Sequence, residues 1–262
     1  MELRKKKISF LITHYNRPDD LLQCIGAIKK LEVVDSEIVV CDDASQEEHL
    51  KTIQDYEIDQ LILSKTNQGL AANINKGIKE CQGEYIIYCQ EDFLLSTQIS
   101  RILPECLDLL QQGKVDLIRF TSNFAFNKLI PLTNAVSLIP KFSFQNFLQN
   151  YYQYSDHPFV TKKSFYDRYG TYLEQTSGRY GETEYAIRIL KSNAKIGITN
   201  QRLASTIEGS QSVLVNESLA ANKEYTLNKK WVKIARAFRL YLECILYNKS
   251  KRGLVTYKNF RK

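Results

Sequence analysis

The chain has 262 residues, of which 44% are hydrophobic and 25% charged, with a formal net charge of +7. That length allows one large or two small domains around a real core, and the composition is ordinary for a soluble globular protein. No apolar run approaches the ~20 residues of a membrane-spanning helix, and the six cysteines, with no C-x-x-C pair, form no zinc or disulfide framework and fit reduced core residues of a cytosolic protein.

The basic N-terminus is followed by a short strand, Ile8–Ile12, not by the apolar core of a signal peptide. A helix follows over 18–31, with Pro18 suited to its first turn and Asp19 and Asp20 near its positive end. Then come a strand over 37–41, a helix over 46–56, a strand over 60–63 and a helix over 70–81. Tyr85–Cys89 reads as a buried strand, 97–111 as a helix and 116–120 as another strand. Strands alternating with helices predict a mostly parallel sheet covered on both faces, with ligands at the carboxyl ends of the strands.

Polar residues cluster at those ends. The first strand leads to Thr13, His14, Tyr15, Asn16 and Arg17, the second to Asp42, Asp43, Ala44 and Ser45, the third to Asn67, Gln68 and Gly69, and the fourth to Gln90, Glu91 and Asp92. Asn16, Asp43 and Asn67 are good cap residues, and each cluster alone reads as a turn. Four on one edge point to a site. The adjacent carboxylates Glu91 and Asp92 suit a hard divalent cation; the alternative is a solvated strand end with two surface acids.

From about 123 to 181 the pattern is irregular and aromatic-rich. Its aromatics read as packing under a long loop, His157 as a surface or packing residue, and Lys162 and Lys163 as a solvated face, with a phosphate contact as the lesser alternative. A helical pattern returns over 182–191, and 202–207 reads as a last strand. Residues 221–262 carry 12 Lys/Arg and 2 Asp/Glu, a charge of +10, against −3 for the first 220. Basic character therefore belongs to a tail, unlike a nucleic-acid-binding body. In that tail Trp231, Ile234, Ala235, Phe238, Tyr241, Leu242, Ile245 and Leu246 form one helical stripe among basic residues. It binds a membrane surface or packs on the body.

Taken in order, these motifs resemble the family 2 glycosyltransferases of the GT-A fold over residues 7–210. Ile8 to Arg17 is similar to the opening strand and its "TYNR" turn, and Ile38 to Ser45 to the "DDGS" segment. Asn67 and Gly69, with Asn75 and Gly77, resemble "N-x-G…N-x-G", Gly83 to Asp92 the strand ending in D-x-D, and Gly181 to Arg188 the later acidic motif.

The resemblance implies a three-layer α/β/α GT-A sandwich with a mostly parallel sheet and a C-terminal helical extension. Residues 1–220 would form the transferase domain, with a nucleotide-binding half over 1–120 and an acceptor-side half over 121–220, and 221–262 the tail. It implies that Thr13, Tyr15, Asn16, Asp42, Asp43, Asn67 and Gly69 line the nucleotide pocket. Asp92, with Glu91, would hold Mg²⁺ or Mn²⁺ against the donor diphosphate, and Glu182 would deprotonate the acceptor hydroxyl. The implied activity is inverting transfer from a nucleotide-diphosphate sugar, a UDP-sugar first among them, to a saccharide or lipid-linked acceptor in surface polysaccharide synthesis. The implied place is cytoplasmic, peripheral on the inner face of the cell membrane.

The chain departs from the pattern at Gln90, in the first D-x-D position, at Ile74, where the family usually has arginine, and at Glu208, where a histidine is common. Glu182 and Glu184 also read as first-turn acids of a helix, Glu184 more so. Two other functions stay open: a non-catalytic nucleotide-sugar-binding relative, and a sugar nucleotidyltransferase. The second is disfavoured because residues 13–17 contain no glycine.

Overall fold

A computed structural model describes residues 7–122, 125–176, 178–207, 229–248, 251–252 and 255–256. The first four strands run β1 (Ile8–His14), β2 (Ser36–Asp42), β3 (Gln60–Leu63) and β4 (Tyr85–Gln90). Between them lie α1 (Pro18–Lys29), α2 (Glu47–Gln54) and α3 (Leu70–Glu80). After β4 come β5 (Phe93–Leu95), α4 (Gln98–Gln111), β6 (Leu117–Arg119), β7 (Ile130–Pro131), β8 (Val136–Leu138) and β9 (Phe159–Lys162). Then follow α5 (Ser164–Tyr169), α6 (Gly178–Lys191), β10 (Ile196–Thr199), β11 (Ala204–Thr206) and α7 (Lys229–Ile245).

Nine strands make one sheet in the order β3-β2-β1-β4-β9-β6-β10-β8-β7. The pairs β3-β2, β2-β1, β1-β4 and β6-β10 are parallel. β9 runs antiparallel between β4 and β6, and β8 runs antiparallel between β10 and β7. The sheet is thus mixed, as in many large α/β sheets. The strands at 159–162 and 196–199 and the helix over 164–169 fall where the sequence pattern gave no element.

Strand alternation sorts the core into two layers. Phe10, Ile12, Val40 and Ile87 face one way, onto Leu21, Ile25 and Ile28 of α1 and Leu103 and Leu107 of α4. Leu11, Val39, Ile86 and Tyr88 face the other, onto Ile74 and Ile78 of α3, Phe165 of α5 and Tyr185 and Ile189 of α6. The helices therefore cover both faces, the three-layer arrangement expected. α3 approaches so closely that a Cβ at Gly77 would meet Leu11 Cδ1 at 2.3 Å and Cys41 Sγ at 2.8 Å. Five cysteines are buried in this core and no disulfide forms among the described residues.

α7 docks on the body through a face that overlaps only part of the stripe read in the sequence. Leu240 packs with Tyr151 and Ile187, and Ala237 is also buried. Tyr241 donates to Phe147 O (2.8 Å) and Lys191 Nζ to Cys244 O (3.0 Å). Trp231, Phe238, Leu242, Ile245 and Leu246 remain 57–74% exposed. The stripe therefore packs on the body only in part: Phe238 and Tyr241 lie against Phe147, with ring centroids 5.5 and 5.1 Å apart, while most of its bulk faces out. No described helix is long and apolar enough to cross a membrane.

Candidate active site

Parallel pairing puts the ends of β1, β2 and β4 in register. Thr13 stands between Cys41 and Gln90, and His14 beside Asp42. The chain leaves β1 and β2 through left-handed residues, Asn16 (φ 56°) and Ala44 (φ 63°), uncommon conformations for non-glycine residues. They let the two turns bond to each other. Asn16 N donates to Ser45 Oγ and Gln46 N to Asn16 Oδ1, both at 2.8 Å.

Asp42 anchors this pair of turns from inside and is fully buried. Arg17 N donates to His14 Nε2 (3.1 Å), so the proton of a neutral ring lies on Nδ1, which donates to Asp42 Oδ2 (2.8 Å). Ser45 N donates to Asp42 Oδ1 (2.9 Å), and the Ser45 hydroxyl donates to Oδ2. Burial pushes the Asp42 pKa up, but the bonds from His14 and Ser45 outweigh it and hold it below the usual range. Asp43 is spent in the same way, accepting from Gln68 N (2.9 Å) and Gly69 N (2.8 Å) and so tying β2 to the start of α3. Gly69 has φ 88°, a conformation that favours glycine. Thr13 meets the Tyr88 hydroxyl at 3.2 Å, Tyr15 is half-buried, and Asn67 is exposed beside this edge.

At β4 the pattern reverses. Glu91 and Asp92 follow the strand, and burial pushes the Glu91 carboxyl up to about 8, with Asp92 adding to the rise. Burial also raises Asp92, against the lowering effect of Arg17, whose Nη1 lies 3.4 Å from Asp92 Oδ2. Asp92 Oδ1 is buried with no hydrogen-bond partner. Among the described residues no three acidic, histidine or cysteine side chains cluster as a ready metal cage. Glu208 lies outside the described residues, but Ile207 before it donates its N–H to Asp92 O (2.9 Å).

The sheet continues the same edge through Arg119 and Asp156, which sequence reasoning did not single out. Because β9 is antiparallel, its beginning lies at the ends of β4 and β6: Tyr88 pairs with Phe159 and Phe159 with Arg119. Asp156 and His157 therefore sit beside the site, while Lys162, at the end of β9, lies opposite Tyr85 at the far edge. There Lys163 Nζ donates to Lys79 O (3.1 Å) and Cys81 O (2.5 Å), away from the strand-end site.

Arg119 is 1% exposed and donates to Tyr152 O (2.8 Å), Gln153 O (3.1 Å) and Ser155 Oγ (2.7 Å). Burial lowers its pKa to about 10, while Glu182, Tyr154 and Asp156 pull it back up. Burial, with help from Arg119 and Arg202, lowers His157 to about 4, so that ring is neutral at pH 7. Arg119, Tyr151, Tyr152, His157 and Glu182 help line a cavity of about 230 Å³. α6 begins at Gly178, so Glu182 and Glu184 lie in its second turn and are not first-turn acids. Glu182 is half-buried at the cavity, whereas Glu184 is buried in an ion pair with Arg188 and accepts from the Tyr247 hydroxyl. A short strand signal after Pro158 was available for β9; the reversal that brings Asp156 to the site was not local information.

This sheet with its polar edge defines a GT-A glycosyltransferase fold. Chain comparison agrees: the sequence profile of "Glycosyl transferase family 2" matches residues 9–170, more than half of the chain. The protein belongs to that family. A cholesterol galactosyltransferase of Borreliella burgdorferi is 31% identical over 104 residues, 38% of this chain and 29% of that protein. The chondroitin synthase of Escherichia coli is 25% identical over 119 residues, 44% of this chain and 17% of that protein. The matches thus span less than a third of either relative. Among solved structures, S. aureus TarS 1–349 in complex with UDP-GlcNAc superposes with a TM-score of 0.62 at 13% identity, covering 94% of this chain and 68% of that one. The mannosyltransferase PcManGT of Pyrobaculum calidifontis, in complex with GDP-Man and Mn²⁺, gives 0.58 at 12%, covering 98% and 68%. Both likenesses concern the fold.

Proposed function

We propose that the protein transfers a sugar, with inversion, from a nucleotide-diphosphate sugar to a hydroxyl of a saccharide or lipid-linked acceptor in surface polysaccharide synthesis. A UDP-sugar is the leading donor, in keeping with the UDP-GlcNAc complex of the similar TarS. The nucleoside end lies along Thr13, Tyr15, Asn16, Asp43, Asn67 and Gly69, with Asp42 building the loop from beneath. The observation that carries the reading is the contrast at that edge: Asp42 and Asp43 have protein donors, while Asp92 keeps a buried oxygen with none.

That orphaned oxygen, beside a second carboxylate, fits Mg²⁺ or Mn²⁺, which prefer oxygen ligands. Asp92 would hold the ion, with Glu91 next to it and the diphosphate completing its shell. The ion would neutralise charge on the leaving diphosphate. Glu182 takes the acceptor proton as general base, and one carboxylate there suffices for a single displacement. The outward stripe of α7 and the basic tail around it fit an anionic membrane surface, each basic residue there contributing about 1 kcal/mol. A lipid-linked acceptor and a peripheral place on the inner membrane face follow from that contact.

The test is release of UDP from UDP-glucose, UDP-galactose and UDP-GlcNAc with and without Mn²⁺. Turnover should need the ion and fall about 100-fold or more in Asp92→Asn and Glu182→Gln, within the range that general acid–base groups contribute. Turnover that ignores both substitutions would rule the assignment out. Sedimentation with anionic vesicles checks the membrane contact; binding unaltered by Phe238→Ser with Leu242→Ser would remove the stripe from it.

A further inference from the structure

Two phenylalanines have no task in the reading above. Phe144 is 86% exposed and Phe142 52%, and their rings meet edge-on with centroids 5.1 Å apart. Single apolar side chains on a surface need no explanation, whereas an exposed apolar cluster points to a partner. The turn that presents them is firmly built. Phe144–Asn146 is a single 3-10 turn, and Ser143 Oγ before it accepts from Gln145 N (3.2 Å). Asn150, 1% exposed, holds both backbone groups of Ser143, accepting from its N (3.1 Å) and donating to its O (2.9 Å). Asn146, fully buried, holds Lys128 in the same way, at 2.8 Å and 2.7 Å. Satisfied buried amides rigidify the backbone they bind, so the exposed rings sit on a fixed turn.

The same network reaches α7. Asn150 Nδ2 also donates to the Tyr241 hydroxyl (3.1 Å), which in turn donates to Phe147 O (2.8 Å). The Phe147 ring lies 5.5 Å from that of Phe238, a member of the outward stripe, and Phe147 N donates to Phe144 O (3.2 Å). Phe147 therefore joins the turn to the stripe, and the two are fixed to each other. We propose that the 142–147 turn inserts into an anionic lipid surface beside α7, with Phe142 and Phe144 as anchors supplied by the body of the fold. This goes beyond the tail contact, which involves no residue of the body.

Charge selects the occupant. Lys128, held by Asn146, is exposed, as are Lys233 and Arg236 of α7, and residues 221–262 carry +10 in all. Aromatic rings settle at the headgroup level of a bilayer while cations meet its anionic lipids. A second copy of this chain, docked about a two-fold axis through the same patch, would set those cations against their own counterparts, which is unfavourable. The chain runs on from the turn into Tyr151 and Tyr152, which line the cavity with Glu182. A bilayer held by the turn thus lies next to the segment that forms the cavity wall. That suits an acceptor delivered from lipid, a consequence that rests on the transfer reading; the lipid contact itself does not.

Trp231 is the one tryptophan of the chain, so the indole can be moved to the turn. The full chain carrying Trp231→Phe with Phe144→Trp is mixed with vesicles of phosphatidylglycerol and phosphatidylcholine. Its emission should shift to the blue and be quenched by brominated phosphatidylcholine, as should that of Trp231 in the parent. Quenching at position 231 without quenching at 144 overturns the proposal and leaves the tail as the contact; quenching at neither overturns both contacts. Without lipid, acrylamide should reach the indole at 144. A shielded indole overturns the proposal too, and sedimentation velocity then tells a second copy from another part of this chain as the cover. In sedimentation with the same vesicles, Phe142→Ser with Phe144→Ser should weaken binding about tenfold or more; unaltered binding overturns the proposal. None of these readouts uses UDP release, so failure of the transfer reading and failure of the lipid contact are seen separately.

Discussion

The two halves of the strand-end edge treat buried charge in opposite ways. On the side of β1, β2 and α3, His14, Asp42 and Ser45 form a closed set, and Asp43 is held by two backbone N–H groups. From β4 onward, Glu91 and Asp156 are pushed up by burial, Asp92 Oδ1 lacks a partner, and Arg119 Nε is buried without one. Closed polar networks stabilise and shape a loop, whereas open ones store unfavourable electrostatics that a ligand can relieve. In the proposed function the first half is a preformed wall for the nucleoside, and the second is where a ligand would relieve buried charge.

The largest expected effect belongs to the closed half. Asp42→Ala leaves His14 Nδ1 and the Ser45 amide without their acceptor and should cost about 3 kcal/mol, a range set by buried charged hydrogen bonds. Urea denaturation checks it. A loss under about 1 kcal/mol would mean that the network is not what holds the turns.

His157 tests the boundary between the halves through pH. Its folded pKa, about 4, lies below the ordinary 6.5. The unfolded chain therefore binds the proton first as pH falls, and stability is present above about 6.5 and lost between there and about 4. The loss should reach about 2 kcal/mol, a discounted form of 1.36 kcal/mol per pKa unit. Melting curves from pH 7.5 to 4 should show a shallower fall in His157→Gln than in the parent, and parallel curves would refute it.

The open half predicts the reverse sign. Asp92→Asn removes a burial-raised carboxyl and should raise the stability of the metal-free protein by up to about 1 kcal/mol even as turnover falls about 100-fold or more. Destabilisation of the size expected for Asp42→Ala would erase the distinction between the halves.

That distinction also explains what the sequence revealed. The alternation of strands and helices to residue 120 was legible because each element carries its own periodicity and the clusters at 13–17, 42–45, 67–69 and 90–92 follow their strands directly. Arg119 and Asp156 were not, because their place depends on β9 running backwards between β4 and β6, a pairing between residues distant in the chain. α7 shows the same limit. Its helical period was plain, but which residues dock was not: Leu240, outside the stripe, packs on Tyr151 and Ile187, and of the stripe Tyr241 and Phe238 meet Phe147.

Ala44 offers the finest test of the closed half. Its φ of 63° lies in the left-handed region, which costs an L-residue roughly 1–2 kcal/mol relative to its usual backbone. Glycine pays none of that but adds freedom to the unfolded chain, worth about 0.5–1 kcal/mol in the opposite direction. Ala44→Gly should therefore stabilise by about 0.5 kcal/mol, since the steric relief slightly exceeds the added entropy. The turn would still present Ser45 N to Asp42 Oδ1, 2.9 Å away in the parent, without strain at residue 44. Paired thermal melts of parent and variant decide the sign. A stability loss would mean that the Ala44 methyl makes a packing contribution larger than the backbone strain it imposes, and that the left-handed turn is sustained by more than the Asp42 network.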